Sequence, residues 1–225
     1  MPLNKVSGNM YSFVTHTWNP IKGICPHLCS YCYMSKIYKR FGKVPKPANL
    51  DEKELKTKLG RGNFIFVGSS CDMFAEDIPA KWIAKVLEHC KKYPINKYLL
   101  QSKNPRRLIE FNLLTSLNTF TGTTIESNRI YPCMGNVPTP NDKAIAMEGH
   151  AGFITVEPIL DFDLDDFLAI LKKASPDYIY IGADSGNNRL PEPSKEKILE
   201  LITELEKFTS VHKKPNLGRL LKETS

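Results

Sequence analysis

The chain has 225 residues, 41% hydrophobic and 24% charged, and 31 Lys and Arg against 24 Asp and Glu leave a formal net charge of +7. This is the composition of an ordinary globular protein that buries a sizeable core without covalent staples. No apolar run approaches the roughly 18 residues that span a bilayer, and the N-terminus MPLNKVSGNMYSF lacks the apolar centre of a secretion signal, so a cytoplasmic location and no membrane partner are expected.

Short apolar runs alternate with helical patterns along the chain. YSFVTHT (11–17) is the first strand candidate and leads into a cysteine-rich loop. Asp51 and Glu54 resemble a capping box ahead of a helix carrying Leu55 and Leu59. FIFVG (64–68) reads as a buried strand. In the next segment Ile83, Val86, Leu87 and Cys90 share a helix face that Pro94 ends. KYLL (97–100) is a strand, and Asn104 with Pro105 reads as the cap and first turn of the following helix. TFTGTTI (119–125), FITV (153–156) and YIYIG (178–182) are further strands, and FLAILKKASP is a helix ending at Pro176. Ser194 caps a last helix whose Ile198, Leu201, Ile202, Leu205 and Phe208 form a stripe. About six strand–helix units result, and such alternation implies an α/β fold with a parallel sheet, either open or curved into a barrel. No boundary interrupts residues 1–210; the basic segment 211–225 is set apart as a C-terminal tail.

Six cysteines in a chain of this size without an export signal point to metal rather than disulfides. Cys25, Cys29 and Cys32 lie in GICPHLCSYCYMSK with the spacing C-x-x-x-C-x-x-C, while Cys71, Cys90 and Cys133 are dispersed. Structural zinc takes four ligands, usually from two separated knuckles, and the second C-x-x-C is absent. His27, between Pro26 and Leu28, reads as a loop residue or hydrogen-bonding group rather than a fourth ligand. Three thiolates on an iron–sulfur cubane leave one iron open, which is useful when something binds there. The positive charge favours polyanionic partners, nucleic acid or a nucleotide-like molecule, but the lysines are spread along the chain, and a solvated surface is the plain reading.

The cysteine loop, with Tyr31 immediately before the last thiol, resembles the signature of the radical S-adenosylmethionine (radical SAM) superfamily. The order of WNP (18–20), the loop, TTIESNR, TVEP and IGADSG is similar to that of phage and bacterial three-cysteine-motif proteins of unknown function. The resemblance implies a partial (β/α)6 TIM-like barrel with parallel strands. It implies a 4Fe-4S cluster on Cys25, Cys29 and Cys32 whose open iron chelates S-adenosylmethionine. An electron from an external reductant such as flavodoxin or ferredoxin would cleave that cofactor to a 5′-deoxyadenosyl radical, which abstracts hydrogen from a substrate.

On that footing the strand ends supply the remaining site. Tyr31, Ser69, Ser70, Gln101, Glu126 and Arg129 are the expected cofactor-binding residues, with Asp72 replacing the acid missing from GSSC; Trp18 and Asn19 are candidates to line the pocket, and a packed Trp18 is the plain reading. Lys103 joins Gln101 and Ser102 after the third strand. Glu157, Asp184, Ser185 and Asn187 occupy the positions of substrate-side groups, with Arg129 or Arg189 as structural partners for Glu157 and a turn held by Asx chemistry as the plain reading of Asp184. Cys71 and Cys133 are thiols able to serve a substrate radical; Cys71 is also a possible fourth cluster ligand, and the plain reading of both is loop filler. The alternative function is a zinc- or iron–sulfur-stapled protein without catalysis, binding nucleic acid or carrying electrons.

Overall fold

The structure, a computed structural model, describes residues 3–6, 9–150 and 152–222. The chain forms two compact units, Met1–Leu28 with Cys32–Thr121, and Cys29–Tyr31 with Gly122–Ser225. Strand β7 (Thr119–Thr124) runs through the point where the first gives way to the second.

The first unit contains β1 (Asn4–Lys5), β2 (His16–Trp18), β3 (Ile21–Lys22), α1 (Tyr33–Arg40), β4 (Asn49–Leu50), β5 (Phe64–Val67), α2 (Ala80–Lys91), β6 (Lys97–Ser102) and α3 (Pro105–Leu113). β2, β5 and β6 pair in parallel, Trp18 opposite Val67 and Ile65 opposite Tyr98, and β1 adds an antiparallel edge. A separate antiparallel ribbon joins β3 to β4. The expected helix after Asp51 is a single 3-10 turn, Glu54–Lys56. Both acids are drawn to Lys22 at 2.8 Å, Asp51 Oδ1 accepts from the Lys53 amide at 3.0 Å, and Thr57 is already extended. The first strand candidate is shorter than 11–17, because Val14 N closes a turn onto Tyr11 O before β2 begins. Phe13 serves the core instead, its ring 4.8 Å from that of Phe64 and 5.6 Å from that of Phe120. Asn104 stands at the α3 N-cap, but its side chain makes no cap and donates to Glu76 at 3.2 Å.

The second unit continues from β7 through α4 (Pro140–Met147), β8 (Phe153–Val156), α5 (Leu164–Ala174), β9 (Tyr178–Ile181), α6 (Lys195–Leu205), β10 (Ser210–Lys213) and α7 (Gly218–Leu221). β7, β8, β9 and β10 are parallel in that order. All four residues of β8 are buried, as expected for a parallel strand covered on both faces. Gly122 lies opposite Phe153; a Cβ there would come within 2.3 Å of the ring, so the cross-strand pair requires glycine. On α6, Ser194 accepts from the Lys197 amide as the expected cap, and Ile198, Leu201, Ile202 and Leu205 are buried, each contributing about 1.5–3 kcal/mol. Phe208 falls beyond the helix and is partly exposed. The segment read as a tail holds β10 and α7, so its described part is ordered structure; residues 223–225 lie outside the described residues. Among the described residues no helix is long and apolar enough to cross a membrane.

Candidate active site

The cysteine loop leaves the β2–β3 segment through Gly23, whose φ of +105° and closeness to the Pro47 carbonyl, 2.5 Å from a would-be Cβ, admit glycine alone. Ile24 N donates to Lys46 O, and Leu28 turns the chain with φ +54°. Cys32 is the N-cap residue of α1. Cys25, Cys29 and Cys32 are all half-buried.

In the first unit, Cys25 is hydrogen-bonded to the buried Cys71 thiol. That bond outweighs burial and brings Cys25 down to about 6, with help from His27. Cys71 is pushed far up by the same bond and by burial, so it keeps the proton and Cys25 carries the charge. Burial holds Cys32 above the usual thiol range. In iron-free protein, carbamidomethylation of Cys25 followed by peptide mass mapping is expected to titrate near pH 6. In Cys71→Ala the midpoint should move toward that of an ordinary thiol; an unchanged midpoint would remove Cys71 from this role.

Behind these thiols lies a buried polar relay. His27 Nε2 meets Asp72 Oδ2 at 2.8 Å, and the same oxygen accepts from Ser102 Oγ at 2.9 Å and Lys103 N at 2.8 Å. Phe74 N donates to the other oxygen at 3.0 Å. Burial works to raise the Asp72 carboxyl, but His27 and the two amides prevail and hold it below the usual carboxylate range. Asp72 therefore ties the loop after β5 to the loop after β6 and to the cysteine loop. Asn19 fixes the neighbouring turn, accepting from Ser69 Oγ at 3.1 Å and Ser70 N at 2.9 Å, while Ser69 O accepts from Tyr33. Gln101 Oε1 accepts from Tyr11 at 2.9 Å. Trp18 is buried, its ring 5.0 Å from that of His89.

In the second unit, Cys29 Sγ donates to Met134 O and Ser30 N to Cys133 O, both at 3.0 Å. Half-buried Cys133 lies in a 3-10 turn, Pro132–Met134, and its backbone thereby holds the cysteine segment. Tyr31 donates to Glu126 Oε1 at 2.6 Å, and Lys143 Nζ meets Glu126 Oε2 at 3.2 Å and Thr124 O at 2.9 Å. Glu126 and Lys143 are 0% and 1% exposed, so a fully buried ion pair stands behind Tyr31. Lys143 escaped the sequence reading, yet a signal existed. Pro140, Lys143, Ala144 and Met147 follow core-face spacing on α4, and a lysine among them needs a buried acid.

Arg129 binds both oxygens of Asp163 and one of Asp161, which also takes Lys197. Arg129 holds the Asp163 carboxyl down at about 2. Glu157 pairs with Lys214 and accepts from Asn216 at 2.7 Å, because β10 brings Lys214 to the end of β9. Asp184 is buried and accepts from Gly186 N at 2.9 Å, from Asn188 N and from Asn188 Nδ2 at 2.6 Å, an Asx-held turn. Asn187 is exposed in that turn with φ +50°.

The donor set fits an iron–sulfur group. Three thiols stand on one short loop, and one of them is held as thiolate. A cubane held by three thiolates gives each of them a separate iron and leaves the fourth iron open, which is the number of thiols the loop supplies.

Fold and loop together define an α/β protein of mostly parallel strands with three thiols after its first parallel strand. The chain belongs to the family described as Protein of unknown function (DUF5131), which matches residues 9–200. No curated protein matches it. Among solved structures it resembles a double mutant of spore photoproduct lyase with bound AdoMet and dinucleoside spore photoproduct, at 10% identity and a TM-score of 0.59, over 92% of this chain and 78% of that one. The fold is thus shared with that lyase, an α/β fold of mostly parallel strands, as expected.

Proposed function

We propose that this chain is a radical SAM enzyme with a nucleotide-containing substrate. The observation that carries the reading is the three-thiol loop just past the first parallel strand of this fold, on the side where α/β enzymes keep their reactive groups. Cys25, Cys29 and Cys32 would hold a 4Fe-4S cluster. With S-adenosylmethionine and one electron from a flavodoxin or ferredoxin, that cluster supplies a 5′-deoxyadenosyl radical for hydrogen abstraction.

The chain's own part is to hold and shield. The Cys71 thiol donates to Cys25 and tempers its charge. Asp72 fixes His27 inside the loop, and Glu126 fixes Tyr31. Asn19 sets the Ser69–Ser70 turn, whose hydroxyl and carbonyl oxygens are acceptors for the cofactor's ammonium. Glu157, Asp184 and Asn187 remain the substrate-side groups of this reading. A nucleotide substrate is supported by the positive charge of the chain and by the dinucleoside bound to the resembling lyase.

Anaerobic reconstitution tests it. About four irons per chain and 5′-deoxyadenosine after dithionite reduction with S-adenosylmethionine are expected. Zinc in place of iron, or an intact cofactor beside a reduced cluster, would refute it.

A further inference from the structure

α1 is built the wrong way round for a core helix. None of its residues is buried, and the row Tyr33, Ile37, Phe41 and Val44, which continues past its C-terminus, is 51%, 37%, 62% and 87% exposed. Every residue from Lys39 to Pro47 is exposed. The same stretch, residues 33–48, carries Lys36, Lys39, Arg40, Lys43 and Lys46 and no Asp or Glu. Among the described residues none of these five cations is in an ion pair. The chain's net charge is +7, so one surface segment holds a large share of it unopposed. Phe41 is flanked by two of the cations, Arg40 at 5.8 Å and Lys43 at 5.9 Å from the ring centroid.

We infer that α1 and the segment through Lys46 form a docking surface for single-stranded nucleic acid, with cations on the phosphates and Phe41 and Tyr33 as stacking faces. The inference rests on the proposed function and names the form of its substrate. Unopposed cations beside exposed rings are the combination that binds unpaired strands: the charge tracks the backbone, and a ring accepts any base whose face is free. A duplex offers the charges phosphate but gives the rings nothing to stack on. A second copy of this chain would bring like charge to like. Tyr33 directly follows Cys32, so a strand held here is led to the thiol loop.

Fluorescence anisotropy of the full chain with labelled oligothymidylate tests the surface. Lys39→Gln/Arg40→Gln/Lys43→Gln should weaken binding at least tenfold. It should also flatten the log–log salt dependence by about 2, three contacts at ~0.7 each. Phe41→Ala should weaken binding about tenfold with the salt slope unchanged. The charge-matched control Lys53→Gln/Lys56→Gln/Lys58→Gln should stay within threefold of wild type. All seven positions are exposed, and unchanged circular dichroism melts would show the fold intact. Equal losses in control and test variants would reduce the effect to net charge and overturn the inference. So would duplex binding as tight as single strand, or binding to phosphatidylglycerol vesicles without binding to the oligonucleotide. The assay needs no cluster, so failure here leaves iron content and cofactor cleavage standing, and failure of those leaves this surface standing.

Discussion

Iron content after anaerobic reconstitution is expected to fall from about four per chain to less than one when Cys25, Cys29 or Cys32 is replaced by alanine, and to hold in Cys71→Ala. The distinction follows from where the proton sits. Cys71 is buried and hydrogen-bonded to Cys25, and the bond and burial together leave it protonated. A thiol that keeps its proton donates a hydrogen bond; a metal ligand must lose it. Cys25 is the ionised member, brought to about 6 chiefly by that bond. Losing Cys71 should therefore change the electronic character of the cluster without emptying the site: iron retained, with a shift in the reduced cluster's electron paramagnetic resonance spectrum. Iron lost in Cys71→Ala would make Cys71 a fourth ligand and favour an electron carrier with no vacancy for S-adenosylmethionine. Iron retained in Cys25→Ala would end the three-thiolate account altogether.

Much of this could be read in the sequence, for a local reason. A parallel strand covered on both faces must be apolar throughout, and FITV and YIYI announced β8 and β9 almost to the residue. The thiol loop was equally plain as a loop, because its three cysteines stand within eight residues. What failed to show was long-range. Glu157 was read as a substrate-side group or the partner of an arginine; its pairing with Lys214 was not foreseen, because residues set aside as a tail form most of β10. α1 was missed because its apolar residues face solvent with its lysines, and no core-facing stripe marks it. Glu126 looked like an acid at a strand end, free for a ribose; Lys143, 17 positions later, and Tyr31, 95 positions earlier, both reach it inside the protein. The division at Thr121 passes through a strand with no change of composition, so no linker advertised it.

The buried pair also sets the second large effect. Lys143→Met is expected to destabilise the protein by about 3–5 kcal/mol, because it leaves the Glu126 carboxylate buried without its counter-ion. For a domain of this size that is a loss of roughly 10 °C or more in melting temperature. Methionine fills most of the lysine's volume, so the loss is one of charge rather than packing. Tyr31→Phe should cost less, about 1.5–3 kcal/mol, since it removes one hydrogen bond to a charged acceptor and leaves the ion pair in place. Glu126→Gln combined with Lys143→Met should then be milder than the sum of the two single changes, with a coupling of about 1–3 kcal/mol from a double-mutant cycle in thermal or urea unfolding. Strict additivity, or a Lys143→Met variant that melts within 2 °C of wild type by this criterion, would mean that Glu126 is satisfied without the lysine. The anchor of Tyr31, and of the cysteine segment it ends, would then have to lie in the Met134 and Cys133 carbonyls instead.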